Sequence, residues 1–187
     1  MWKSYIVRPN IGFQIKWSNR LVGDRGAPAK ISVDGTDFRT VEYKPFHSDR
    51  KSHKSNGPGL RYEIGIAVAT GWIVHVFGPF PCGEYPDLRI ARMYLHNKLP
   101  AGEYYIADDV YKAKHTPVVI GSMVPPHELK RFKKIRSRHE NINGRFKEWD
   151  CLSKTYRHEE EKHFDMFMAV VVITQMEMWN GRPAYSI

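Results

Sequence analysis

Cysteine is scarce: the 187 residues hold two, Cys82 and Cys151, each standing alone. That excludes a disulfide framework and a paired-cysteine zinc site, and it suits a reducing compartment. Long apolar runs are lacking too. The longest, around 164–173, is broken by Asp165 and falls short of the ~20 residues that a membrane helix requires. The opening stretch MWKSYIVRPN has neither a long apolar core nor a small-residue cleavage signal, so a soluble intracellular protein without membrane partners is expected. Acids are the scarcer charge: 20 Asp and Glu face 29 Lys and Arg, a formal charge of +9, which favours a polyanionic partner such as nucleic acid or an anionic membrane surface. Against these absences stands a hydrophobic content of 42%, enough for one folded domain with a sizeable core.

Periodicity orders the chain. Residues 1–28 scatter aromatic and basic side chains and read as an N-terminal extension of helix or loop; the domain proper is expected over 29–187. AKISVDGTDFRTVEY reads as a strand, with Ile31 and Val33 on one face and Ser32 and Asp34 on the other, running into a turn at Gly35 and a second extended piece. KPFHSDRKSHKSNGPGL (44–60) is polar, basic and rich in Ser and Gly, an exposed loop by composition. Two strands follow around the Thr70–Gly71 turn, a hairpin. Leu88, Ala91, Leu95 and Leu99 then recur at helical spacing behind Asp87, a suitable N-cap, and Pro100 ends that helix. EYYIAD and TPVVIG read as further strands. A long helix carries Leu129, Phe132, Ile135, His139, Ile142, Phe146 and Trp149 three or four apart, and a last helix over about 158–179 carries Phe164, Phe167, Met168, Val171, Val172, Gln175 and Met178. The class is α/β, a mixed sheet with helices on its faces.

Three acids need a reason beyond solvation. Asp34 lies opposite Ile31 and Val33 on its strand, and Asp108 ends the apolar run Tyr104 to Ile106. If the two strands neighbour each other, the carboxylates converge and repel, and they are stable only when one is protonated or a cation lies between them. Glu140 is the sole acid from 130 to 147 in a run of Lys and Arg, and it falls beside the apolar stripe with Arg136, Asn143 and Lys147. Two strand aspartates and a helix glutamate are all oxygen ligands, which suits Mg²⁺ or Mn²⁺, while the flanking cations suit a phosphodiester backbone. His158 and His163 in HEEEKH do not make a zinc-protease pair, because i, i+5 spacing separates them by about 140° on a helix.

The chain resembles the DDE-superfamily transposase domain of the PIF/Harbinger type. The likeness runs through VDGTDF (33–38), GLRYEIGI (59–66), GPFPCGEYPDL (78–88), ADDVY (107–111), RHENINGRFKEW (138–149) and the tail AVVVITQMEMWNGRPAYSI (169–187), in order. It implies a ribonuclease-H-like mixed sheet flanked by helices, and a metal-dependent DNA endonuclease or strand-transfer activity by a two-metal mechanism. Carried over residue by residue, Asp34, Asp108 and Glu140 are the catalytic acids and ligands of Mg²⁺ or Mn²⁺, with Asp87 a supporting residue and a further candidate ligand. Lys133, Arg136, Arg138, Asn143 and Lys147 would contact DNA. Asp109, on the other face by alternation, would cap or solvate its turn. Val110 stands where the family has Gly, so a turn needing positive φ would be strained there. The resemblance also implies nuclear location, and either a separate DNA-recognition protein or a second copy of the chain as partner. The chain starts some 30 residues before the first acidic element, so a fragment without its DNA-recognition domain is one expectation. A domesticated, catalytically inactive protein that binds DNA or another protein is the alternative. A generic RNA-binding module is disfavoured because no RNP-type aromatic motif occurs.

Overall fold

The computed structural model describes residues 15–42, 45 and 47–184, so much of the N-terminal extension, a few positions of the 44–60 loop and the final three residues of the tail lie outside the described residues. Strand β1 (Ala29–Arg39) runs through the middle of the sheet. It pairs antiparallel with β3 (Gly57–Ala67) on one side and parallel with β5 (Tyr104–Ile106) on the other. Short β2 (Lys51–Ser52) and longer β4 (Ile73–Pro81) both pair with β3, and β6 (Val118–Val119) runs parallel to β5. The result is a six-stranded mixed sheet in the order β2-β3-β1-β5-β6, with β4 beside β3.

Alternation along β1 sorts the molecule into two faces. Ile31 and Val33 pack with Ala67 and Val74 against Ala91, Leu95 and Tyr105. Tyr105 belongs to β5, and Ala91 and Leu95 to a π-helical turn (Ala91–Leu95) between α1 (Asp87–Ile90) and α2 (His96–Lys98), one irregular helix in three parts. Phe38, Tyr62 and Ile64 point the other way, against Ile142, Phe146 and Phe167. That cover is α3 (Leu129–Lys147) and α5 (Glu160–Trp179), joined through α4 (Asp150–Ser153). No helix among the described residues is long and apolar enough to cross a membrane.

The hairpin forms where its turn residues put it: Gly71 adopts φ +78° and donates its N–H to the Ala67 carbonyl at 2.9 Å. Three local expectations change. Gly35 is not a turn but a strand residue paired with Glu63. The 44–60 stretch is not wholly loop, since β2 and the start of β3 lie in it and Ser52 is buried. Trp149 falls beyond α3 and is 39% exposed, so the apolar stripe of that helix ends at Phe146. The buried stripe of α5 is rotated slightly from expectation, toward His163, Val170 and Thr174.

Candidate functional site

The parallel register sets Ser32 beside Ile106, and two residues further on Asp34 stands level with Asp108, just past the end of β5. Period-two alternation turns Asp34 to the same face as Ser32, the face that α3 covers. There His139 Nε2 and Ser32 Oγ hydrogen-bond at 3.0 Å, and Arg136 donates from Nη1 to the Val33 carbonyl at 2.8 Å. The other guanidinium nitrogen, Nη2, lies 3.7 Å from Asp34 Oδ2 and 3.8 Å from Asp108 Oδ2. Arg136 therefore neutralises two converging carboxylates at once. Asp34 Oδ1 accepts the Gly35 N–H at 2.9 Å, whereas Asp108 Oδ1 is buried with no hydrogen-bond partner among the described residues. Burial makes Asp108 a weaker acid, holding its proton above the usual carboxylate range; Arg136 opposes that shift and the charge of Asp34 adds to it.

Glu140 stands one helical turn on from Arg136, exposed, on the wall of a cleft of about 670 Å³ that it shares with Gly35, Thr36, Lys54, Asn143 and Lys147. Lys54 reaches across it to donate from Nζ to the Gly35 carbonyl at 2.7 Å. The structure thus brings Asp34 and Asp108 together and sets Glu140 beside the next residues of the same strand. No group of three or more His, Cys, Asp or Glu placed to hold a metal ion occurs among the described residues.

Asp87 belongs to a different cluster. A Cβ on Gly35 would lie 1.9 Å from Asp87 Oδ1, so Asp87 occupies the space that the glycine leaves. Gly35 and Asp34 are consecutive on a regularly paired strand and face opposite sides, which sets Asp87 across the sheet from Asp34. Asp87, the further candidate ligand, therefore approaches β1 from the α1 side, near enough for the charge of Asp34 to act on it. It does not cap its helix: Pro86 holds the N-cap position and Asp87 is the first helical residue. Its neighbour is Arg61, which grips Asp37 through Nε at 2.7 Å and Nη2 at 2.9 Å while Nη1 stands 3.5 Å from Asp87 Oδ1. Burial pushes Asp87 up to about 6, with Arg61 and Lys54 opposing and the charges of Asp34 and Asp37 adding. Beside this group, Glu63 Oε1 and His75 Nε2 meet at 3.0 Å, both fully enclosed, and burial makes Glu63 a weaker acid than an ordinary glutamate. The only sequence signal for this network is Arg61 and Glu63 at alternate positions within an otherwise apolar strand.

The five candidate DNA contacts on α3 divide three ways. Lys133 and Lys147 are exposed and Asn143 is half-buried on the cleft wall. Arg136 is occupied by the carboxylates. Arg138 is 2% exposed and donates to the Val68 carbonyl at 2.7 Å, so the expected DNA contact from this side chain is corrected to a structural bond with the hairpin. Val110 lies in a 3-10 turn (Asp109–Tyr111), and the non-glycine residues with positive φ among those described are Asn56 and His115; the expected strain at Val110 does not occur. Asp109 is exposed.

Comparison of the chain with protein families, with curated proteins and with solved structures finds no match in any of the three.

Proposed function

We propose that the chain is a metal-dependent DNA endonuclease or strand-transfer domain of the PIF/Harbinger DDE type, built on a ribonuclease-H-like fold. The observation that carries this reading is the convergence of Asp34 and Asp108, from adjacent parallel strands, on one guanidinium nitrogen of Arg136. The strand order also supports it: three antiparallel strands extended in parallel by two more beyond β1. Oxygen donors of this kind suit a hard divalent cation: two carboxylates converge and Asp108 keeps a buried oxygen without a partner among the described residues, while Glu140, exposed one turn along the covering helix, is not grouped with them and would have to join them on metal binding. The chemistry that Mg²⁺ or Mn²⁺ supplies at such a site is activation of a water or a DNA 3′-hydroxyl and stabilisation of the leaving oxygen. Asp34, Asp108 and Glu140 are the ligands in this reading. Lys54, Asn143 and Lys147 hold the phosphodiester backbone in the cleft, positioning it without reading sequence. A nuclear setting and a DNA-recognition partner, or a second copy, accompany the reading.

One observation favours the inactive alternative. Arg136 already serves as counter-ion to both aspartates, which a binding module without chemistry could keep indefinitely. The two are separated by nicking of supercoiled plasmid with Mg²⁺, Mn²⁺ or EDTA, using the wild type, Asp34→Asn, Asp108→Asn and Glu140→Gln. Metal-dependent nicking that disappears in all three variants is the expected outcome. Salt-sensitive DNA binding without nicking, unchanged across the variants, would establish the binding module instead.

A further inference from the structure

A second groove, of about 750 Å³, opens where the end of β1 meets the segment between α4 and α5. Arg39, Lys154, Arg157 and His158 border it, with Cys151 on its wall. It shares Arg39 and Ser153 with the cleft beside Glu140, so the two depressions adjoin across these residues.

The groove is held in shape by backbone. Tyr156 donates its N–H to the Arg39 carbonyl at 2.8 Å, and Val41 donates to the Tyr156 carbonyl at 3.0 Å, a one-residue parallel bridge onto the end of β1. The Tyr156 ring is buried edge-on to His163, with centroids 4.7 Å apart. With Tyr156 turned inward, Thr155 and Arg157 turn outward, and both are exposed. The cations are therefore displayed on a preformed segment, which lowers the ordering cost of binding. Asp150 is the acid on this wall, and its 2.5 Å pairing with Lys154 is an exposed i, i+4 contact of the kind that contributes little and yields readily to a phosphate.

We infer that this groove carries the phosphodiester backbone of DNA onward from the Glu140 cleft, with Arg39 as the contact common to both and Lys154 and Arg157 as the distal phosphate contacts. The inference rests on the DNA reading of the cleft, but its test does not depend on cleavage. Cys151 is exposed on the groove wall while Cys82 is buried, so the chain carries its own probe. Maleimide labelling of the native protein would be followed with and without a mixed-sequence DNA duplex, alongside duplex binding across a salt series for the wild type, Arg157→Gln, Lys154→Gln and Lys147→Gln.

DNA is expected to slow Cys151 labelling several-fold, with added salt restoring it. Arg157→Gln and Lys154→Gln are each expected to weaken binding and to reduce the slope of log affinity against log salt by about one. Binding that depends on Lys147, with Cys151 labelling unchanged by DNA and an undiminished slope in Arg157→Gln, would overturn the groove and leave the cleft standing. Absence of salt-sensitive binding by the wild type would overturn the DNA reading and the groove with it.

Discussion

The two faces of the sheet bury titratable groups in different company: imidazoles held by hydroxyls on one, carboxylates held by Arg61 and the His75 imidazole on the other. Under α3 and α5 lie imidazoles: burial, reinforced by the charge of Arg136, presses His139 down to about 3, and burial presses His163 down to about 4. Under α1 and α2 lie carboxylates, with Glu63 raised and Asp87 pushed up to about 6. One cause produces both, since loss of water favours the neutral form of either group. The α3 face buries the Arg138 guanidinium against the hairpin carbonyls and sets its carboxylates at the rim, where Asp34, Asp108 and Arg136 meet; the α1 face takes its carboxylates inside and relies on Arg61 to balance them. A carboxylate pair at a rim can exchange its counter-ion, whereas an enclosed network cannot.

The largest effect expected from this contrast is acid lability through the histidines. Their folded values lie below the ordinary 6.5, so the unfolded chain binds protons that the folded chain refuses, and stability present above 6.5 is lost as pH falls. The loss is about 3 kcal/mol from each by pH ~4. Urea unfolding between pH ~7 and pH ~4 reads it directly, and a flat profile would contradict the neutral burial of these rings.

Next is Arg61→Met, which leaves Asp37 and Asp87 enclosed without their partner and is expected to cost ~3–5 kcal/mol in urea unfolding at neutral pH. A loss below ~1 kcal/mol would mean that water reaches this face.

Asp87→Asn sharpens the comparison because its sign is opposite. The raised Asp87 contributes stability below its ordinary 3.8 that is lost as pH rises through about 6, a change of about 3 kcal/mol that runs against the histidines. Removing it should steepen the rise of stability with pH over this window, and an unchanged slope would refute the assignment. Smallest is Arg136→Gln, which unpairs Asp34 and Asp108 and should cost ~1 kcal/mol in the metal-free protein, given how exposed the rim is. The same substitution should tighten Mn²⁺ binding measured by calorimetry, since the cation no longer competes with a guanidinium. Weaker Mn²⁺ binding would show that Arg136 organises the pair rather than occupying it.

Much of the frame was legible from periodicity alone. The alternation of Ile31 to Asp34, the Thr70–Gly71 hairpin and the stripes of α3 and α5 are local patterns that follow from which residues must leave water. Composition misled where an element's residues serve a distant neighbour. Gly57 to Gly59 look like loop because Gly and Pro are loop formers, yet they begin β3. Asp-Gly at 34 and 35 looks like a turn, yet Gly35 is a strand residue whose missing Cβ admits Asp87. Arg138 looked like part of a solvated basic run, yet the way α3 rests on the sheet turns it inward to the hairpin carbonyls.

For the site, the three acids could be singled out in the sequence because Asp and Glu beside apolar runs incur a desolvation cost that solvent-facing acids do not. Which acids share a space could not, because that depends on strand order, register and the side of the sheet each helix covers. Residue types and their periods determine the strands, the helices and the faces that turn inward, through local sterics and the transfer of apolar surface from water. Only the packing of β5 beside β1 set Asp108 against Asp34, put Arg136 between them, and sent Asp87 to the opposite face, because contacts between residues far apart in sequence exist only once the sheet has closed its register.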